Sequence, residues 1–294
     1  MTVVEMRGMM GGLYRISEWI MRLSVTNVLW ILVSLPFFIL LLGIFGVGAI
    51  QGTEQEQLAA FQGVLFWVSL SMPLFFFPGT SAMFSMTRKW VMGDTDAPLL
   101  KTFFRSYKEN FKQAVLGGVV FVLLGYVLYA DYRFYISQES GWNFLGIVFI
   151  VFAVLYAAAL FNFFSLLSHL NLTFGQLLKN TFLLTIGAPL NSVALLVTNG
   201  FLLYISSKYT FLIPFFLGSL IGLNSFFQFY RLFTRMQDKQ EKWKEKEEAK
   251  RQEEAAGEEG EDASDRSEDA PNNRENGQVL PSGGESDGNR ERRD

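Results

Sequence analysis

Six long apolar runs lie between Val25 and Tyr230, and no Lys, Arg, Asp or Glu interrupts any of them. Each is on the order of twenty residues, the length a helix needs to cross a hydrocarbon core. Within lipid a backbone has no water to bond, so such runs satisfy their own N–H and C=O groups as helices. The runs are roughly Val28–Ile50, Val64–Met86, Ala114–Ala130, Phe144–Ser168, Thr181–Ser206 and Phe211–Tyr230. The expected fold is all-α: a polytopic membrane protein, a bundle of six transmembrane helices with interfacial amphipathic helices and a disordered acidic C-terminal tail.

Charge divides the chain and sets its expected orientation. From Asp238 to Asp294 there are 19 acidic and 11 basic residues, a net of −8, while the rest carries a net of +5. Lys and Arg near span ends mark the cytoplasmic side. Three arginines (Arg7, Arg15, Arg22) precede the first run, and the first loop, Gln51 to Gln62, has no Lys or Arg. The second loop holds Arg88, Lys89, Lys101, Arg105, Lys108 and Lys112, whereas the third holds only Arg133. Both termini are therefore expected inside the cell. Trp19 and Trp90 fit the inner aromatic belt, and Tyr132, Tyr135 and Trp142 the outer one. The first run is too long for the apolar part of a cleavable signal and reads as a retained span.

Three regions follow: an N-terminal interfacial helix over 1–24, a six-span membrane domain over 25–235, and a charged tail over 236–294. Behind Asp96-Ala97-Pro98, a helix-opening sequence, Leu100, Phe103, Phe104, Tyr107 and Phe111 recur at helical spacing. Lys101, Arg105, Lys108 and Lys112 form a basic stripe beside them. This pattern predicts an amphipathic helix on the inner membrane surface. It admits three uses: holding anionic lipid, docking a cytoplasmic partner, or lining a pore mouth. The tail is expected to be helical to about Glu254 and disordered from Gly257, where almost nothing apolar remains.

Chemistry is marked mainly by what the chain lacks. With no Cys there is no thiolate site, and with a single His, His169, a histidine metal cluster or a Ser-His dyad elsewhere in the chain is impossible. No P-loop, His-Glu-x-x-His or Gly-x-Ser-x-Gly occurs, so the expectation is a non-enzyme with no catalytic, cofactor-binding or metal-binding residue. The absence of ionisable residues in the runs argues against proton relays and voltage sensing. Uncharged polar residues remain: Thr80 and Ser81 beside Pro78, and Asn191 and Thr198 after Pro189. They are the candidate intramembrane polar site, since Pro can break a helix and free carbonyls for a solute. The plainer alternative is hydrogen bonding between helices. Gly218 and Gly222 form a small-xxx-small step suited to close helix packing. Thr102-Phe103, Lys108 and Phe111 align ungapped with Thr173-Phe174, Lys179 and Phe182 as a weak internal repeat.

Three stretches together resemble the YesL family of bacterial integral membrane proteins of uncharacterised function. They are Gly12-Leu13-Tyr14-Arg15 through Glu18-Trp19 to Asn27 and Trp30; Pro78 to Phe84 with Arg88-Lys89-Trp90 and Gly93-Asp94; and the Phe103, Phe104, Tyr107, Lys108, Phe111, Lys112 spacing. The resemblance covers roughly Gly8 to Arg235. It implies a multi-pass plasma-membrane protein, an accessory to carbohydrate uptake or its regulation, with membrane lipid and an ABC-type sugar transporter as partners and no nucleic acid. No Glu-Ala-Ala loop of an ABC permease is present, so the translocating role is not implied. The alternative function is a small-solute permease or channel without its own ATPase.

Overall fold

The computed structural model describes residues 9–48, 52–137 and 144–268, and the fold among them is all-α. Arg7, Ile50, Trp142 and the tail after Glu268, each given a role above, lie outside the described residues. The helices are α1 (Met9–Val33), α2 (Leu35–Val47), α3 (Glu54–Ser71), α4 (Phe77–Val91), α5 (Leu99–Ile136), α6 (Phe144–His169), α7 (Phe174–Gly187), α8 (Pro189–Lys208) and α9 (Gly218–Glu268). One π-helical turn, Met72–Phe76, joins α3 to α4, and another, Ile213–Leu217, leads into α9. Among the described residues, six stretches are long and apolar enough to cross a membrane: Gly12–Val33, Glu54–Val91, Leu99–Ile136, Leu145–His169, Pro189–Lys208 and Ile213–Gln252. The chain is a polytopic membrane protein, and the count of six spans holds.

Local chemistry explains where the helices start and stop. Thr53 and Glu56 open α3 with a reciprocal capping box: Thr53 N–H donates to Glu56 Oε2 (2.8 Å) and Glu56 N–H to Thr53 Oγ1 (3.3 Å). Pro98 sits at the cap just before α5, where its missing N–H costs nothing. Gly93 ends α4 at φ +91°, a region that residues with a Cβ rarely adopt. Its N–H donates to the Trp90 carbonyl (3.1 Å) and the Asp94 N–H to the Lys89 carbonyl (2.8 Å), closing a Schellman turn.

Several boundaries differ from the sequence expectation. The first apolar run bends at Ser34, because Pro36 has no N–H to give the carbonyl four residues back. The N-terminal stretch expected as a separate interfacial helix is instead the first part of α1, unbroken to Val33. Likewise the basic stretch after Pro98 does not form its own surface helix. It is the start of α5, whose 38 residues span about 57 Å against a hydrocarbon core of about 30 Å. No Pro or Gly lies between Leu99 and Leu116, so nothing interrupts the hydrogen-bond ladder once it has begun.

The fifth run, expected as one span over Thr181–Ser206, breaks at Ala188 (φ −128°, ψ 64°) ahead of Pro189. The 14-residue α7 reaches only about 21 Å, so α8 is the spanning piece. Pro189 leaves the Thr185 carbonyl without its helical donor, and Ser192 Oγ donates to that carbonyl at 2.9 Å. Ser192→Ala should therefore cost about 1 kcal/mol, read as a lowered unfolding temperature in detergent; an unchanged value would mean the break does not need this cap.

The chain forms two compact units, Met1–Met236 and Gln237–Asp294. In the first, the core is aromatic. Phe77, Phe121 and Phe163 are fully buried, with Phe77 5.0 Å from Phe164 and Phe121 5.3 Å from Phe163 by ring centroids. In the second, the described side chains Gln237–Gln252 are exposed. The helix continues to Glu268, past the Gly257 where order was expected to end. Extending a formed helix by one residue fixes fewer torsions per hydrogen bond than nucleating a new one, which carries it through weak formers.

Candidate functional site

Besides the bend at Ser34, three Pro-associated interruptions, at Met72–Phe76, Ala188 and Ile213–Leu217, are where a solute path would have to begin, since each frees backbone carbonyls inside the bundle. Each is filled by the protein's own side chains. At the turn Ile213–Leu217, Asn27 of α1 is fully buried. Its Nδ2 donates to the Ile213 carbonyl (3.1 Å) and the Pro214 carbonyl (2.7 Å), and its Oδ1 accepts from Ser219 N–H (3.1 Å). At the turn Met72–Phe76, Ser34 Oγ donates to the Phe75 carbonyl (3.4 Å) and Thr80 Oγ1 to the Phe76 carbonyl (2.7 Å). Trp30 Nε1 in turn donates to Thr80 Oγ1 (3.0 Å). The third interruption is the one capped by Ser192. Asn27 of α1 and Ser34, the residue just after it, thus bond the two π-helical turns.

Small residues let these helices approach. A Cβ on Gly218 would lie 2.7 Å from the Trp30 ring and 2.9 Å from Asn27 Oδ1, while Gly222 faces Met83 and Thr87 of α4. The small-xxx-small step is therefore used for packing within the chain.

The candidate polar residues do not form one site. Thr80 and Ser81 are buried on α4; Thr80 is engaged by Trp30, and Ser81 Oγ has no hydrogen-bond partner. Asn191 is half-buried and Thr198 exposed, both on α8. Among the described residues no hydrogen bond joins the two pairs. Thr198 belongs instead to a ladder between α8 and α9. Asn224 Nδ2 (2.9 Å) and Gln228 Nε2 (2.7 Å) both donate to Thr198 Oγ1. Behind them Asn224 donates to Asn199 Oδ1 (2.7 Å), and Asn199 to Ser225 Oγ (2.8 Å).

Two cavities follow this α8–α9 seam. One, of about 550 Å³, is lined by Asn191, Gln228, Arg231 and Arg235 among others. The other, of about 460 Å³, is apolar apart from Thr198 and Asn224 and includes Val197, Phe201 and Leu223. The sequence reading missed Asn224, Gln228, Arg231 and Arg235 as a group. Their spacing of i, i+4, i+7 and i+11 placed them on one helical face, and that periodicity was the available signal.

The basic stripe is where the sequence puts it, on an exposed face. Lys101, Arg105, Lys108 and Lys112 are all exposed, and Arg105 alone pairs, with Glu109 at 3.8 Å. Leu100, Phe104 and Phe111 are exposed alongside, whereas Phe103 is fully buried. At the same end of the bundle Arg22 is buried, bonded to Glu18 and the Thr95 carbonyl and 3.7 Å from Asp96. These contacts clamp the loop before α5 against α1. No group of three or more His, Cys, Asp or Glu that could hold a metal is present among the described residues.

A family model described as a protein of unknown function, DUF624, matches residues 60–132. The uncharacterized protein YesL of Bacillus subtilis (strain 168) is 29% identical over 236 residues, 79% of this chain and 95% of its own length. From the same organism, the uncharacterized protein YteU is 29% identical over 220 residues, covering 74% and 84% of the two chains. The uncharacterized protein YesV is 31% identical over 162 residues, covering 54% and 77%. No solved structure matches the chain.

Proposed function

We propose, for a chain that belongs to the YesL-like DUF624 family, the role of a non-enzymatic accessory protein of the plasma membrane that docks on a transporter through its basic end. Both termini are placed in the cytoplasm, because the second loop's cations cluster at that end. The observation that carries the reading is the internal capture of every carbonyl bonded by Asn27, Ser34 and Ser192. A permease with discontinuous helices keeps such carbonyls for its solute or ion; here they hold helices together. The aromatic core and the absence of a shared polar site between Thr80–Ser81 and Asn191–Thr198 support the same choice.

The exposed stripe Lys101, Arg105, Lys108 and Lys112 is the docking surface, since Lys101, Lys108 and Lys112 have no ion pair among the described residues and Arg105 has only an exposed one with Glu109, which leaves them available to an acidic face. The resemblance to YesL-like proteins supports carbohydrate uptake as the setting and an ABC-type sugar transporter as the partner. The test is to tag the C-terminus, solubilise native membranes gently and identify what co-purifies. Converting the four cations to Glu should lower recovery of the partner at least tenfold while the elution profile of the protein stays unchanged. Undiminished recovery removes the docking surface. A partnerless protein that transports solute in liposomes establishes the permease instead.

A further inference from the structure

The α8–α9 seam carries an inference that does not depend on the docking role. We propose that it binds one anionic phospholipid, with the phosphate at Arg231 and Arg235 and an acyl chain in the apolar cavity. Neither guanidinium has an ion pair or hydrogen bond among the described residues, and no acidic side chain lines either cavity. Two uncompensated cations on one helical face create a local potential that favours a phosphate over a neutral headgroup. Asn191 and Gln228 add uncharged polar groups to the same cavity.

Length and polarity specify the rest of the ligand. From Arg235 back to Leu220 is 15 residues, about 22 Å of helix, close to one leaflet of a bilayer about 40–45 Å thick. Along that distance the charged groups lie at one end: Arg235 and Arg231 with Gln228 and Asn191, set among Leu190, Phe227 and Leu232, then Thr198 and Asn224, with Phe201, Leu220 and Leu223 beyond. A phospholipid has the same sequence of phosphate, ester carbonyls and hydrocarbon. A free phosphorylated solute would satisfy the arginines and leave the apolar cavity without purpose.

The experiment is native mass spectrometry of the full-length protein in detergent with equimolar phosphatidylglycerol and phosphatidylcholine. The expected result is one retained phosphatidylglycerol per chain, preferred at least tenfold. In the Arg231→Gln/Arg235→Gln variant the preference should fall to near unity. Neutralising Lys101, Lys108 and Lys112 to Gln should leave it intact, which separates this site from the basic stripe. Val197→Trp, at an exposed position filling the apolar cavity, should reduce retention at least fivefold. All these positions are at the surface, and an unchanged unfolding temperature checks that the variants fold. Equal retention of the two lipids, or a preference that survives loss of both arginines, overturns the proposal. Complete displacement by millimolar glycerol 3-phosphate would also overturn it, assigning the arginines to a free anion. So would a dimer that the arginine variant dissociates, which would make the seam a contact between copies.

Discussion

Asn27→Ala should destabilise the membrane unit by about 3 kcal/mol, the largest effect expected of any single side-chain truncation described above. Asn27 is fully buried and makes three hydrogen bonds to the backbone around Ile213–Ser219. Alanine removes all three and strands two carbonyls and one N–H in a medium without water. Each stranded group costs about 1–3 kcal/mol, and the lower end applies because hydrogen bonds in membrane bundles average below 1 kcal/mol. The readout is the unfolding temperature in detergent by size-exclusion fluorescence, with a fall of roughly 6–12 °C expected. A shift under about 2 °C would show that the π-helical turn holds itself without α1.

Gly118→Val is the second large effect, and it acts through volume rather than polarity. A Cβ at Gly118 would lie 2.6 Å from the Pro73 Cα, 2.8 Å from its Cβ and 3.0 Å from Phe77 Cγ. The nearest of these is backbone, which cannot rotate aside, so α5 must move off the π-helical turn. Overpacking of this kind costs about 1–3 kcal/mol, and the upper end is expected because Phe77 lies in the same contact. Gly200→Ala is the internal comparison. Nothing lies within 4 Å of a Cβ there, so the gain in helix propensity, up to about 1 kcal/mol, should raise stability. If Gly118→Val also tolerates heating, the packing of α5 on the turn is looser than its geometry implies.

Much of this arrangement was legible in the chain because lipid leaves few choices. The number of spans, the basic end and the exposure of Lys101, Arg105, Lys108 and Lys112 follow from hydropathy and charge alone. That a proline can break a helix was legible at Pro189, but the run around it was still expected as one span, and the bend ahead of Pro36 was not expected. What became of the freed carbonyls was not legible. Asn27 and Ser34 lie far along the chain from the backbone they bond, and no periodicity links them to Pro214 or Pro73. The partners of Thr80 and Thr198, Trp30 in one case and Asn224 with Gln228 in the other, were illegible for a related reason: polarity within a span says that a partner is needed, never which helix supplies it. The α8–α9 face was readable from the spacing of Asn224, Gln228, Arg231 and Arg235. It passed unnoticed because Asn224 and Gln228 read as part of an apolar run and the arginines as its flank.

The sequence by itself determined that this is an all-helical bundle of six spans with one strongly basic end. The cost of exposing unpaired backbone or charge to hydrocarbon acts residue by residue and needs no neighbour. Only the tertiary structure decided that Asn27 and Ser34 bond the two π-helical turns, that α5 extends past its span as one helix, and that two arginines and a polar ladder line the α8–α9 seam. Those outcomes depend on which buried donor meets which orphaned carbonyl, a matching of positions that exists only once the helices are packed.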